Sequence, residues 1–122
     1  MIRRITLRNF RNYERATISF LPGINLVHGK NGAGKTNLLE ALYLLSTGRS
    51  FRTPRLNDLI RTGEDYFFIE VAFEKEGTEH TLAAGFDGKK GKASHNRTEL
   101  PSFSKLPGIL PGVLHSEGDD RL

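Results

Sequence analysis

Gly29-Lys30-Asn31-Gly32-Ala33-Gly34-Lys35-Thr36 matches the pattern G-x-x-x-x-G-K-[ST] at every defined position. A chain of this length matches the pattern by chance on the order of once in a hundred. Glycines let the backbone curl so that successive N–H groups point inward, and a helix that follows adds unpaired N–H groups and the positive end of its dipole. The stretch therefore predicts a phosphate-binding loop.

The sequence on both sides of this loop agrees with that interpretation. Ile24–Val27 is a short apolar run of strand type, and residues 35–45 carry apolar side chains at helical spacing. Strand, glycine loop and helix in this order are the context that the motif requires. In such a site Lys35 would neutralise the β- and γ-phosphates of a nucleotide, and the Thr36 hydroxyl would hold Mg²⁺.

The helix after the loop has an apolar stripe too broad for a surface helix, so we expect it to be largely buried. We interpret its leucines as core residues rather than as a partner site, and Gly48 as the residue that ends the helix. The stripe consists of Leu38, Leu39, Ala41, Leu42, Leu44 and Leu45.

The remaining patterns predict mainly antiparallel β-structure. Residues 5–10 and 16–20 alternate with period two and predict a hairpin in which Ala16, Ile18 and Phe20 face inward. Beyond the helix we expect a helical turn at Leu56–Ile60, strands at Phe67–Glu74, Thr81–Phe86 and Lys92–Asn96, a short helical segment at Pro101–Lys105, and a strand at Ile109–Leu114.

The composition limits the classes of protein to consider. The chain has 122 residues, of which 37% are hydrophobic and 26% charged, enough for one small domain. It has no cysteine, no secretory signal pattern and no apolar run near the roughly 20 residues of a membrane helix. These features favour a cytoplasmic protein. The four histidines lie far apart and lack metal-ligand spacing, so we interpret them as surface or packing residues: His28, His80, His95 and His115.

Positive charge is concentrated in three runs, and the formal net charge is +4. Clusters of this kind favour a polyanionic partner, either a nucleotide or a nucleic acid. The runs are Arg3, Arg4, Arg8, Arg11 and Arg15; Arg49, Arg52 and Arg55; and Lys89, Lys90 and Lys92.

A nucleotide-hydrolysing site also needs an apolar strand that ends in an acidic residue. The nearest match is Phe67–Glu70, but it falls inside an alternating strand that places Glu70 on the face opposite Ile69. We interpret Asp119 and Asp120 as a solvated run rather than as ligands of Mg²⁺. The chain is therefore expected to be the N-terminal part of a longer ATPase, or a truncated version of one.

Over essentially its whole length, and most strongly from Leu7 to Arg52, the chain resembles the start of the RecF family, which is related to the ATPase heads of SMC proteins. The residues that carry the resemblance are Leu7–Tyr13, the loop Gly29–Thr36, Asn37–Tyr43 and Gly48–Arg52, with a looser match over Phe67–Arg97 and Val113–Leu122.

The resemblance implies an α/β fold, the N-terminal half (lobe I) of an ABC-type P-loop ATPase head over residues 1–122, with a mixed sheet around the loop helix and an antiparallel β-meander. It implies ATP and Mg²⁺ as cofactors, Arg11 and Asn12 beside the nucleotide, and Arg49 and Arg52 on the DNA-facing surface. Its activity would be ATP-dependent binding and dimerisation on double-stranded, gapped DNA, with RecO and RecR as partners in loading recombinase. The processes would be replication, repair, recombination and the SOS response to DNA damage.

Two alternatives remain open at this stage. The loop and hairpin also suit other P-loop ATPases of SMC or transporter type, although the basic segment Gly48–Arg55 argues against a transporter. The chain also lacks the family's signature motif, Walker B strand and helical second lobe. It is therefore also compatible with a fragment that binds nucleotide without hydrolysing it.

Overall fold

The computed structural model describes residues 1–20 and 32–110. The predicted strand Ile24–Val27, the residues Gly29, Lys30 and Asn31 of the loop, and residues 111–122 lie outside this part. The elements in chain order are strands β1 (Ile2–Phe10) and β2 (Tyr13–Ser19), helix α1 (Gly32–Thr47), a 3-10 helix (Leu56–Leu59), strands β3 (Phe67–Lys75), β4 (Thr78–Phe86), β5 (Gly91–His95) and β6 (Thr98–Leu100), and a second 3-10 helix (Phe103–Lys105).

The six described strands form one sheet in the order β2-β1-β3-β4-β5-β6, and each neighbouring pair is antiparallel. Strand β1 lies in the interior of this order, where Ile5 is opposite both Ile18 of β2 and Val71 of β3. The predicted hairpin and the predicted meander are therefore two parts of a single sheet.

Two tight turns in this sheet depend on backbone conformations with positive φ. Glu76 and Gly77 join β3 to β4 with φ of 54° and 80°, and Asn96 and Arg97 join β5 to β6 with φ of 53° and 70°. Two such residues in succession form the type I′ turn that fits the twist of paired strands. Strand β6 was not predicted, because three residues are too few to show an alternating pattern.

One face of the sheet, the inner face, packs on α1 and forms the core. The side chains of Ile69, Val71 and Phe73 are wholly buried, as the alternation of strand β3 predicted. Among the predicted apolar residues of the helix, all but the half-buried Leu39 are buried. Gly48 has φ of 86° and its N–H donates to the carbonyl oxygen of Leu44 at 2.7 Å, which confirms the predicted helix end.

One prediction was wrong in the described part of the chain. Ile109 and Leu110 lie in a turn rather than at the start of a strand, and the N–H of Ile109 donates to the carbonyl oxygen of Leu106. His80 and His95 are packing residues, as predicted, and although they are far apart in the sequence their rings stack with centroids 5.2 Å apart, and Nδ1 of His80 lies 3.0 Å from Nε2 of His95. The pairing of β4 with β5 brings them together, because Leu82 lies opposite His95.

Within residues 1–20 and 32–110, no helix has the length and apolar character needed to cross a membrane.

Candidate nucleotide-binding site

Helix α1 carries the described end of the predicted phosphate loop. The helix begins at Gly32, so Gly34, Lys35 and Thr36 lie within its first two turns. Gly34 is buried, whereas Lys35 and Thr36 are half-buried. The N-terminus of a helix offers unpaired N–H groups and a positive dipole end, which together favour a phosphate group. The end of the motif therefore lies where its predicted chemistry requires.

The turn between β1 and β2 is fastened to the same end of α1. The hydroxyl of Tyr13 donates to the carbonyl oxygen of Gly34 at 2.9 Å, and Nδ2 of Asn37 donates to Oδ1 of Asn12 at 2.7 Å. These contacts hold Asn12, a predicted nucleotide residue, beside the helix turn that follows the loop. That Asn12 touches the nucleotide itself stays a prediction.

A buried carboxylate holds the other turn residue. Nε and Nη2 of Arg11 donate to Oε1 and Oε2 of Glu40 at 2.8 and 3.0 Å. The same carboxylate accepts from the hydroxyl of Ser50 and from Nη2 of Arg52. The side chain of Glu40 is wholly buried, and a buried carboxylate is tolerated only when charges and hydrogen bonds compensate its lost hydration. Glu40 thus holds both the turn between β1 and β2 and the basic loop, Gly48–Arg55, against α1.

The electrostatics of this cluster keep its members charged. Burial opposes ionisation of Glu40, but the hydrogen bonds from Arg11, Ser50 and Arg52 outweigh it, so the pKa of Glu40 lies below its ordinary value. The hydrogen bond to Glu40 in turn raises the pKa of Arg11. Two guanidinium groups share one carboxylate, so the cluster retains a net positive charge beside the helix that carries Lys35. That positive charge would attract the negative charge of a bound polyphosphate.

Glu40 was not recognised from the sequence. The pattern of Leu38–Leu45 was interpreted as core, yet Glu40 is the only charged residue within it. A single carboxylate inside an otherwise apolar run of a buried helix is itself a signal, because such a group needs a cationic partner. The sequence offered many arginines, and only the structure shows that Arg11 and Arg52 are those partners.

The structure separates the two arginines that were predicted to face DNA. Arg52 turns toward α1, where its Nη2 donates to Oδ1 of Asn37 as well as to Glu40. Its side chain is 35% exposed, which leaves part of the guanidinium accessible. Arg49 is exposed on the same loop. Both roles in DNA binding stay predictions, but Arg52 has a structural function that the sequence did not indicate.

An open cleft of about 490 Å³ lies beside the turn between β1 and β2. Its walls are fixed by backbone hydrogen bonds, from the N–H of Arg61 to the carbonyl oxygen of Asn9 at 2.7 Å and from the N–H of Arg11 to that of Leu59 at 2.8 Å. A volume of roughly 300–1,000 Å³ is usual for small-molecule sites. The residues that line it are Arg11, Asn12, Asn37, Asp58, Ile60, Arg61 and Thr62.

Thr36 is the predicted ligand of Mg²⁺, and its half-buried position near the start of α1 is compatible with that role. In the part of the chain that the structure describes, no group of three or more His, Cys, Asp or Glu side chains is placed to hold a metal ion. The role of Thr36 therefore stays a prediction.

Comparison with known proteins assigns this arrangement to a family. The family described as RecF/RecN/SMC N terminal domain matches residues 1–98. The DNA replication and repair protein RecF of Chlamydia abortus is 47% identical over 115 residues, which cover 94% of this chain and 31% of that protein. The corresponding protein of Protochlamydia amoebophila is 45% identical over 121 residues, which cover 99% of this chain and 34% of that protein. The chain thus spans about a third of the length of these relatives.

Solved structures agree with the sequence comparison. A structure of the recombination mediator protein RecF with ATP superposes with a TM-score of 0.81 at 32% identity, covering 90% of this chain and 31% of that one. The SMC head domain from Thermotoga maritima superposes with a TM-score of 0.62 at 20% identity, covering 81% of this chain and 38% of that one. At this identity the likeness supports the fold alone. The predicted class, the N-terminal half of an ABC-type P-loop ATPase head, is confirmed.

Proposed function

The chain belongs to the RecF/RecN/SMC N-terminal domain family, and we propose that residues 1–122 form the ATP-binding N-terminal part of a RecF-type DNA repair and recombination protein. Two findings support this proposal. The relatives from Chlamydia abortus and Protochlamydia amoebophila are named as DNA replication and repair proteins, and a solved structure of a relative is described with ATP.

One observation carries the proposal for ATP. The turn formed by Arg11 and Asn12 is fastened to the first turns of α1 by side-chain contacts on both sides of Lys35 and Thr36. A cation and an amide held beside Lys35 and Thr36 support a nucleotide site there, because little ordering would be needed when the ligand binds.

The chemistry expected of each residue follows from this arrangement. The ammonium group of Lys35 neutralises phosphate charge, and the N–H groups at the start of α1 donate to phosphate oxygens. Arg11, held by Glu40, adds a positive charge at the edge of the site. A Mg²⁺ ion held by Thr36 would supply further neutralisation of the phosphates. We propose that these residues supply the nucleotide-binding half of the site and that residues 1–122 alone do not hydrolyse ATP.

The wider role rests on the same family membership. We propose that the whole protein acts in the cytoplasm and binds double-stranded, gapped DNA as an ATP-dependent dimer. It would work with RecO and RecR to load recombinase during repair, including the SOS response. We propose that Arg49 and Arg52 of the loop after α1 contact DNA, and Arg49 is exposed on that loop.

Binding of a fluorescent ATP analogue, followed by anisotropy with and without Mg²⁺, tests the proposal. The substitution Lys35→Ala removes one charge-assisted phosphate contact, so we expect binding to weaken roughly 10-fold or more. Lys89→Ala, which removes an exposed lysine from the turn between β4 and β5, is the matched control and should leave binding unchanged. Equal affinity of the Lys35→Ala variant and the unmodified chain would refute the proposed site.

A further inference from the structure

Tyr13, the first residue of β2, reaches from the sheet to the backbone of the phosphate loop. Its hydroxyl donates to the carbonyl oxygen of Gly34 at 2.9 Å, a contact between residues 21 positions apart in the chain. Gly34 is the sixth residue of the motif Gly29–Thr36, and its carbonyl group forms the peptide bond to Lys35. A side chain from outside the motif thus holds the backbone of the motif itself.

The packing of the sheet fixes the position of this hydroxyl. Tyr13 is paired with Phe10 across the turn between β1 and β2, and Phe10 is wholly buried. The ring of Phe10 packs edge to face against that of Phe67 in β3, with centroids 5.3 Å apart. The side chain of Tyr13 is itself half-buried against the core. The folded sheet therefore holds the hydroxyl in place before any nucleotide binds.

The contact also orients the peptide group between Gly34 and Lys35. Burial raises the pKa of Tyr13, so its hydroxyl keeps the proton that it donates throughout the neutral pH range. The C=O and N–H bonds of a trans peptide point in opposite directions. A bond that fixes the oxygen of Gly34 on the side of the sheet therefore fixes the N–H of Lys35 on the other side. Because hydrogen bonds in a chain polarise one another, it also makes that N–H a stronger donor.

We propose that Tyr13 is a positioning residue for the phosphate groups of the nucleotide, which acts through the peptide between Gly34 and Lys35 and does not touch the ligand. This inference rests on the phosphate site proposed above. A carbonyl oxygen turned toward the ligand would repel its negative charge, and ordering the peptide during binding would cost free energy. The hydroxyl of Tyr13 avoids both penalties, because the peptide is already oriented in the folded chain.

Competition against a fluorescent ATP analogue tests this role. Tyr13→Phe keeps the ring and removes one hydrogen bond, so the affinity for ATP should fall on the order of 5-fold. Inorganic pyrophosphate, which has neither base nor ribose, should lose the same factor, because the effect is confined to the phosphate groups. Tyr66→Phe, at a half-buried tyrosine just before β3, is the matched control and should change neither affinity. Unchanged affinity of Tyr13→Phe for either ligand would overturn the proposal.

A spectroscopic measurement on the unmodified chain does not depend on the folding of Tyr13→Phe. The chain has three tyrosines, Tyr13, Tyr43 and Tyr66, so labelling tyrosine Cζ with carbon-13 gives three signals. Tyr43→Phe and Tyr66→Phe identify two of them and leave the signal of Tyr13. Pyrophosphate should shift the Tyr13 signal, because the hydrogen bond to Gly34 strengthens when phosphate binds, and should leave that of Tyr66 in place. A Tyr13 signal that saturating pyrophosphate does not move would contradict the proposal.

The same titrations separate this proposal from the ATP site and from a purely structural role. A chain that binds neither ATP nor pyrophosphate contradicts both the site and the role of Tyr13. Binding that Lys35→Ala weakens and Tyr13→Phe leaves unchanged contradicts the role of Tyr13 alone. If Tyr13 only stabilised the fold, Tyr13→Phe would lower the free energy of unfolding in urea while the folded chain bound both ligands as before.

Discussion

Replacing Glu40 by Gln removes the charge that holds the β-turn and the basic loop to α1, while leaving the size of the side chain unchanged. Four hydrogen bonds end on this carboxylate, two from Arg11 and one each from Ser50 and Arg52. A glutamine offers one acceptor oxygen, and its amide N–H groups face donors. We therefore expect the variant to be substantially less stable than the unmodified chain.

The size of the loss follows from the exposure of the partners. Removing one member of a buried ion pair costs roughly 3–5 kcal/mol, because the other charge is left without a partner in a poorly hydrated place. The side chains of Arg11 and Arg52 are 23% and 35% exposed, so water can recover part of their hydration. The expected loss in the free energy of unfolding is accordingly about 3 kcal/mol, at the lower end of that range. For a chain of this size the midpoint of thermal unfolding should fall by roughly 10 °C.

The pH dependence gives an independent check. Because the pKa of Glu40 is lowered in the folded state, its contribution to stability is fully present above its unfolded pKa of about 4.3 and is lost as pH falls through the folded value. The difference between the unmodified chain and Glu40→Gln in urea unfolding should therefore shrink toward low pH. Glu64→Gln, at an exposed carboxylate, should stay within about 0.5 kcal/mol of the unmodified chain. A loss below about 1 kcal/mol at neutral pH, or one that does not depend on pH, would refute this reasoning.

Two other predictions concern the fold around the site. In urea unfolding, Gly48→Ala should lower the free energy of unfolding by at least about 2 kcal/mol, because φ is +86° and the new Cβ would lie 2.5 Å from the carbonyl oxygen of Phe103. The control Gly63→Ala, at φ of +91° with no atom within 4 Å of the new Cβ, should lower it by only about 1 kcal/mol. Equal losses in the two variants would contradict the steric argument. Burial and then the charge of His80 lower the pKa of His95, so protonation favours the unfolded chain and stability should fall as pH drops below about 6.5. His95→Asn should remove part of that loss between about pH 7 and pH 5, and an unchanged pH profile would argue against it.

Local patterns were sufficient for most elements of secondary structure. Alternation identified β3 and its buried face, helical spacing identified the core of α1, and the glycine at position 48 identified the end of that helix. These features are encoded by residues that are neighbours along the chain, so side-chain periodicity and backbone preference are enough to recover them. The short strand β6 and the turn at Ile109 were not recovered, because neither has a periodic pattern.

The sequence by itself determined the phosphate-loop motif, the amphipathic strands and the family to which the chain belongs. The tertiary structure alone decided which charges meet: that Glu40 binds Arg11 from 29 residues away, that His80 stacks on His95, and that Arg8 and Lys92 share one row of the sheet. The physical reason is that strand order and register set these contacts. An arginine or lysine carries the same local signal whether it is solvated, paired with a buried carboxylate or aligned with others across a sheet.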